Sequence, residues 1–330
     1  MTSRPSIFLV GAGYIGLNAL DQLLAAEYLV TVLTRHPEQA SALEGRGVST
    51  VLGSLSDLEL LTAQVEKHPI TINTASCDDL PSVQAILTGI RQRVTAGIPA
   101  IYIHTSGTGA LEDGASGMYK NEKIYYDNRP EDIEAIPSTS MHRHVDIPIA
   151  EAAREFGDRA KIAVILPPLV YGSNPMHKRH SIVLPKLIQF ALKHGFTGYV
   201  GEGLNTWSLV HVKDLARAYS TLLAYIERSS PAVLLENPYF FAENGSEASM
   251  LDIATHVSQV LHEAGRLESP EAHAFAESDY VDVFGPFTER GFGCNSRSRS
   301  VRLQALGWKP TEKDIWTCLR EDDAPALLMD

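Results

Sequence analysis

The stretch from Ile7 to Leu33 constrains this chain more than any other. Ile7-Phe8-Leu9-Val10 is an apolar run of strand length, and Gly11-Ala12-Gly13-Tyr14-Ile15-Gly16 follows at once. Leu17 to Ala26 then reads as a helix, and Leu29 to Leu33 is a second apolar run. Strand, glycine turn, helix and strand in that order make one βαβ unit with a dinucleotide-binding fingerprint. Gly11 permits the tight turn out of the strand. Gly13 lets backbone approach a pyrophosphate with no Cβ in the way, and Gly16 lets the helix pack close to the strand. The helix N-terminus offers unpaired N–H groups and a partial positive charge to phosphates.

A chain of 330 residues with 44% hydrophobic content can bury a large core. The start shows no cationic stretch followed by an apolar signal core, and no apolar run is long enough to span a bilayer. The expectation is a cytoplasmic protein with no membrane partner. Cys77, Cys294 and Cys318 are scattered and form no CxxC pair, which suits a reducing compartment. A net charge of −12 argues against nucleic acid as a partner and reads as ordinary solubility. No metal site is expected, because the histidines lack the i,i+4 helical pairing of the HExxH kind.

The second strand ends in Thr34-Arg35-His36, where many NAD-binding units place an Asp or Glu for the ribose 2′-OH. An arginine fork instead matches the 2′-phosphate of NADP in geometry and charge, so NADP is expected rather than NAD. Val48–Leu52 is the third strand. Ser56 and Glu59 read as a capping box for the next helix, with Asp57 supporting the helix start. Ile70–Thr74 is the fourth strand, with Ala75 and Ser76 at its carboxyl end, where ligands sit in open parallel sheets. Val83, Ile86, Leu87, Ile90 and Val94 have helical spacing. Ile101–His104 is the fifth strand and runs into Thr105-Ser106-Gly107-Thr108-Gly109. Residues 112–140 are polar, rich in turn formers and aperiodic, which reads as a lid, a binding loop or a disordered stretch. Val145–Phe156 is helical, with Pro148 marking a kink or the first turn. Ile162–Leu166 is the sixth strand, followed by Pro167-Pro168-Leu169-Val170-Tyr171-Gly172. Helices are expected at 182–193, at 215–226 with Asp214 as cap, and from Ser249, with Asp252, to about 264. A final helix is expected to open at Thr311-Glu312-Lys313-Asp314. The class is α/β: a Rossmann-type doubly wound parallel sheet with a smaller C-terminal substrate lobe. The boundaries are 1–172 for the dinucleotide-binding domain and 173–330 for the lobe, interleaved with late elements of the main sheet.

Three motifs together resemble the extended short-chain dehydrogenase/reductase superfamily, which contains the nucleotide-sugar epimerases and dehydratases. They are Gly11–Gly16, Pro167–Gly172, and His211-Val212-Lys213-Asp214-Leu215-Ala216. The chain is most similar to atypical, NmrA-like or fungal NAD(P)-binding members. The resemblance implies cofactor contacts at Gly11, Gly13, Tyr14, Ile15, Gly16, Arg35, Ala75, Pro168 and Leu169. Ser54 stands where many members place an adenine-contacting Asp. Ser106 matches the region of the family's active-site Ser/Thr, with Thr105 as the alternative.

The family's proton donor is a Tyr with a Lys four residues later. The matching window here, Met141-His142-Arg143-His144-Val145-Asp146, contains neither. Tyr119 and Lys123 have that spacing but lie some twenty residues early. His142 or His144 is the candidate donor, since imidazole titrates near neutrality; Tyr125, Tyr126 and Tyr171 are loop alternatives. His177-Lys178-Arg179-His180 is a cationic cluster of the substrate lobe, either meeting an anionic substrate or lying as a solvated loop, and Trp207 falls in the same lobe. Arg297 and Arg299 either close over the pocket or tie the late segment to the main domain. The expected function is an NADP(H)-dependent oxidoreductase acting on a small carbonyl, imine or enone, with Ser106, Thr105 and His142 as catalytic candidates. A non-catalytic NADP(H)-sensing regulator and a non-redox isomerase or cyclase are the alternatives, and a homodimer is expected.

Overall fold

A computed structural model of the chain describes residues 5–177 and 179–329; Ser3, Arg4 and Lys178 lie outside the described residues. The first half alternates strand and helix: β1 (Ser6–Val10), α1 (Tyr14–Ala25), β2 (Leu29–Thr34), α2 (Pro37–Glu44), β3 (Ser49–Leu52), α3 (Leu58–Lys67), β4 (Ile70–Asn73), α4 (Leu80–Thr95), β5 (Ala100–Thr105), α5 (Arg143–Phe156) and β6 (Ala160–Leu166). There follow β7 (Leu169–Tyr171), α6 (Val183–His194), β8 (Thr206–His211), α7 (Val212–Arg228), β9 (Tyr239–Phe241), β10 (Glu247–Ser249) and α8 (Met250–Glu263). Seven strands pair in the order β9–β6–β5–β4–β1–β2–β3, all parallel. The main sheet's last strand thus comes from well beyond residue 172. A smaller sheet, β10–β8–β7, underlies the lobe.

Alternation along the strands explains the layering. Ile7 and Leu9 face a core built with Leu17, Leu20 and Leu23 of α1 and Leu215, Tyr219 and Leu222 of α7. Phe8 and Val10 face the opposite core, with Leu61 of α3, Val83, Ile86 and Ile90 of α4, and Val145 and Ile149 of α5. A sheet buried on both faces needs continuous apolar strands, which is how Ile70–Asn73 and Ile162–Leu166 read. A third core, around Leu184, Leu187, Ile253 and Val257, holds the lobe.

Several local expectations change. Asp57, not Ser56, is the residue before α3, and its carboxylate accepts from Ser54 N (2.6 Å) and Ser54 Oγ (2.9 Å), closing the turn backwards. The His211 ring caps α7 by accepting from Lys213 N, while Asp214 is buried in the first turn. There Asp214 accepts from Thr311 N (2.7 Å) and Glu312 N (3.2 Å) and pins the late segment. Pro148 lies inside α5 rather than in its first turn. Asp314, the last residue of the stretch expected to open the final helix, caps the next helical segment by accepting from Trp316 N and Thr317 N at 2.9 Å each. The Ser249–Asp252 capping box forms as expected.

The polar stretch 112–140 buries Ile133 and Ile136 in the core beside α4 and α5 and is otherwise held by side chain to backbone bonds. Asp113 accepts from Asn295 N and Nδ2, and buried Asp127 accepts from Phe241, Val301 and Arg302 N–H groups. Arg297 and Arg299 both pair with Glu247, at 2.9 and 2.8 Å, so they tie the late segment to β10.

One buried carboxyl is poorly served. Both oxygens of Asp323 lack a partner among the described residues, and burial, with Asp322 nearby, pushes its pKa from 3.8 to about 7. A folded pKa above the unfolded one means stability falls as pH rises from about 4 to 7 and stays lowered beyond. Asp323→Asn is therefore expected to stabilise the protein at pH 8 by up to about 4 kcal/mol, at 1.36 kcal/mol per pKa unit. Thermal melts of both forms check this: the gap should narrow steadily toward pH 5, and equal melting temperatures at pH 8 would contradict it.

Candidate functional site

The carboxyl ends of β1, β2 and β4 surround a cavity of about 400 Å³ lined by the glycine turn, Thr34, Arg35, Ser54 and Ala75. The three glycines do separate work. Gly11 has φ +101°, and a Cβ there would stand 2.7 Å from the Cα of Ala75. A Cβ at Gly16 would stand 2.0 Å from the Gly11 carbonyl oxygen, so only glycine lets α1 pack onto the turn. Beside Gly13, by contrast, nothing lies within 4 Å: the space there is open for a ligand. Gly13 is also the residue before α1, and no side chain caps that helix. Its positive end is therefore directed at the cavity.

Gln39 is a brace that the sequence did not flag. It accepts from Thr34 Oγ1 (2.6 Å) and donates to the Ala12 carbonyl (2.8 Å), tying the end of β2 to the glycine turn. Arg35 is exposed on the cavity rim, its Nε donating only to the neighbouring His36 ring (3.1 Å). The Ala75 N–H is fixed by Asn73 Oδ1. Ile15 packs against the core around α1. The Tyr14 hydroxyl donates to the Gly172 carbonyl (2.5 Å), joining the glycine turn to the segment after β6. Pro168 and Leu169 are buried there, and Leu169 packs in the lobe core.

Two polar pairs stand at the ends of β4 and β5. Thr105 and Ser106 are consecutive, so they point to opposite faces. Thr105 shares a 2.5 Å hydrogen bond with Tyr219 of α7. Ser106 turns the other way and donates to Asp146 Oδ2 of α5 (2.9 Å). Asp146 is fully buried, and that burial, against the Ser106 bond, raises its pKa to about 6.

His142, just before α5, has φ +66°, an uncommon left-handed conformation for such a residue. Its Nδ1 lies 2.8 Å from Asp78 Oδ1. Its Nε2 lies against the loop after β5: a Cβ on Gly107 or Gly109 would come within 3.2 or 2.9 Å of it. Burial opposes the imidazolium, but hydrogen bonds to Asp78 and Cys77, and their charges, hold its pKa at about 10. The same bond holds Asp78 below the usual carboxylate range. His142 and Asp146 are four apart, the spacing at which the family resemblance places Tyr and Lys. Asp146 was absent from the expected set because an acid four residues after a histidine is common in any helix.

The other donor candidates are placed elsewhere. Among the described residues, the His144 ring bonds the Asp78 backbone carbonyl alone. The Tyr171 hydroxyl donates to Lys313 O and accepts from Asn244, and burial pushes its pKa up. Lys123 lies over the Tyr125 ring and near Asp132, Arg129 lies over the Tyr126 ring, and Tyr119 is exposed, its carbonyl accepting from Asn295. Trp207 donates to Cys294 O. Cys77, Asp78 and His142 bring one donor atom each within 4.8 Å of one another, a grouping that helical spacing could not reveal. No helix among the described residues is long and apolar enough to cross a membrane.

Residues 139–234, from the start of α5 through α7, match the NAD dependent epimerase/dehydratase family. Oxidase ucsJ of an Acremonium species is 29% identical over 329 residues, covering 92% of each chain. An uncharacterised Schizosaccharomyces pombe protein is 28% identical over 317 residues, covering 96% of this chain and 98% of its own. Among solved structures, the dTDP-glucose 4,6-dehydratase DesIV of Streptomyces venezuelae, with NAD bound, superposes with TM-score 0.69 at 16% identity. That match covers 97% of this chain and 99% of the dehydratase. The UDP-glucose 4-epimerase of Thermotoga maritima superposes with TM-score 0.66 at 17% identity, covering 96% of both. The fold is the one shared with these epimerase and dehydratase structures, and the segment 139–234 carries the match to the NAD dependent epimerase/dehydratase family.

Proposed function

We propose that the protein is an NADP(H)-dependent oxidoreductase that reduces, or forms by the reverse reaction, a small carbonyl, imine or enone. The observation that carries this reading is His142, a histidine held charged by Asp78 with its Nε2 against the loop that follows Ser106. The relatives that share the fold support a nicotinamide cofactor. Arg35 at the end of β2, with no carboxylate partner among the described residues, supports the phosphorylated form.

A bound NADP(H) supplies or accepts hydride at the nicotinamide ring. The protein's part is to orient the acceptor and move one proton. Ser106, fixed by Asp146, orients the substrate oxygen or nitrogen. In reduction, His142 gives its Nε2 proton to that atom while Asp78 stabilises the imidazolium up to that moment. Asp78 is half exposed, so the pair exchanges protons with solvent. Tying one histidine nitrogen to a carboxylate also fixes which nitrogen faces the substrate.

The pH profile tests the pairing. The reduction needs protonated His142, so its rate is expected to hold through neutrality and fall as pH rises through about 10. In Asp78→Asn the carboxylate that raises the pKa is gone and burial still lowers it. The fall should then move down by several pH units, toward the ordinary imidazole value near 6.5. The oxidation direction needs the neutral ring, so its rate should rise through the same pKa, and in Asp78→Asn that rise should move down by the same amount. Steady-state rates from pH 5 to 10.5 with NADPH and a carbonyl panel measure both limbs. Tight NADPH binding without turnover of any panel member would contradict the assignment.

A further inference from the structure

Arg179 belongs to the lobe half of the sequence, yet it lines the same cavity as Gly13 and Arg35. The segment that brings it there is pinned to α1. Asn174 Nδ2 donates to Asn18 Oδ1 (2.8 Å), and the nearly buried His177 ring lies 2.6 Å from Asp21 Oδ2. A backbone bridge between Asn174 and Arg179 closes the segment into a short strap. The strap therefore hangs from the helix whose N-terminus points into the cavity, and among its described residues Arg179 lines that cavity.

Charge makes this placement informative. Acidic residues outnumber Lys and Arg by 40 to 28, so an exposed arginine has many carboxylates to choose from. Arg46 and His177 both take Asp21 on this same helix. The Arg179 guanidinium has no ion-pair or hydrogen-bond partner among the described residues, and Arg35 has no carboxylate partner either. Two arginines without carboxylate partners among the described residues line one cavity that a helix N-terminus also enters, and together they define a site for a polyanionic ligand. A dinucleotide offers phosphates over that span.

We infer that Arg179 is a second phosphate-binding arginine of the dinucleotide site, carried across from the lobe by the 174–181 strap. This rests on the dinucleotide reading above and adds to it a specificity residue outside the βαβ unit. Because the strap is anchored on α1, the arginine is placed before ligand arrives, and less ordering is required on binding.

The test is isothermal titration of the full chain with NADP⁺, NAD⁺ and 2′,5′-ADP, using wild type, Arg179→Gln, Arg179→Lys and His177→Ala. Arg179 is exposed, so its variants should fold as the parent does. Loss of a charge-assisted phosphate contact raises Kd by about 10- to 100-fold in Arg179→Gln. If the contact is to the 2′-phosphate, NADP⁺ and 2′,5′-ADP weaken and NAD⁺ does not. If it is to the pyrophosphate, NAD⁺ weakens along with NADP⁺, and 2′,5′-ADP, which keeps only the 5′-phosphate, weakens by no more than they do. Either pattern supports the inference. Arg179→Lys should retain part of the affinity, since it keeps the charge and loses the fork. His177→Ala, with the arginine present but the strap loosened, should weaken the same ligands by a smaller factor. Wild-type binding with Arg179→Gln within about twofold for all three ligands, less than one lost hydrogen bond, overturns the inference alone. A wild type that binds none of them overturns the dinucleotide reading as well.

Discussion

Replacing His142 with glutamine is expected to lower kcat for the reduction by about 10²- to 10⁴-fold, the usual contribution of a positioned general acid. Glutamine has similar reach and can still bond Asp78, so the local structure should survive while the transferable proton is lost. NADP⁺ affinity should stay within a few-fold, because His142 is not among the residues lining the glycine-turn cavity. The pH dependence assigned to the imidazole should vanish with it. Stopped-flow reduction under single-turnover conditions measures the effect on the chemical step. A variant within about threefold of wild type would show that the proton comes from elsewhere, since general acid catalysis is worth far more than that.

Replacing Arg35 with glutamate is expected to invert the cofactor preference. The arginine's contacts to a 2′-phosphate are charge-assisted and worth about 1.5–3 kcal/mol, or roughly 10- to 150-fold in Kd. The introduced carboxylate adds repulsion against that phosphate. It also gives NAD⁺ an acceptor for its ribose 2′-OH, as in units that carry an acid at this position. The variant should keep its fold, because the bonds bracing the end of β2 run from Thr34 to Gln39 to Ala12 and bypass Arg35. Competitive titration of NADP⁺ and NAD⁺ checks the ratio. An unchanged ratio would remove Arg35 from the 2′-phosphate.

The parts of this molecule legible in its sequence are those set by neighbours along the chain. The glycine turn could be read residue by residue because its constraints, the left-handed Gly11 and the close approach at Gly16, arise within a few positions of each other. The parallel strands were legible because burial on both faces demands unbroken apolar runs. The site's polar pairs were not. His142 meets Asp78 from 64 positions away, and Ser106 meets Asp146 from 40 away. No periodicity encodes either meeting; both follow from α5 packing beside the ends of β4 and β5.

The same distinction explains the local corrections. Asp214 looked like a helix cap because acids favour that position. It is instead drawn inward by the backbone N–H groups of Thr311 and Glu312, nearly a hundred residues on. Residues 112–140 looked unstructured because their order depends on carboxylates such as Asp113 and Asp127 finding backbone partners in the 295–302 segment. Arg179 read as one cation in a basic cluster. Only the anchoring of Asn174 and His177 on α1 carries it to the cofactor cavity.

The most direct test of the central claim is a crystal structure of the protein with NADP⁺. The nicotinamide ring is expected to lie toward the ends of β4 and β5. His142 Nε2 should stand within about 4 Å of where a substrate oxygen or nitrogen must sit over nicotinamide C4, with Ser106 on the same side. A nicotinamide whose exposed face is covered by apolar side chains, or that turns away from His142 and Ser106, would contradict that claim and leave the proposed hydride transfer without a proton donor.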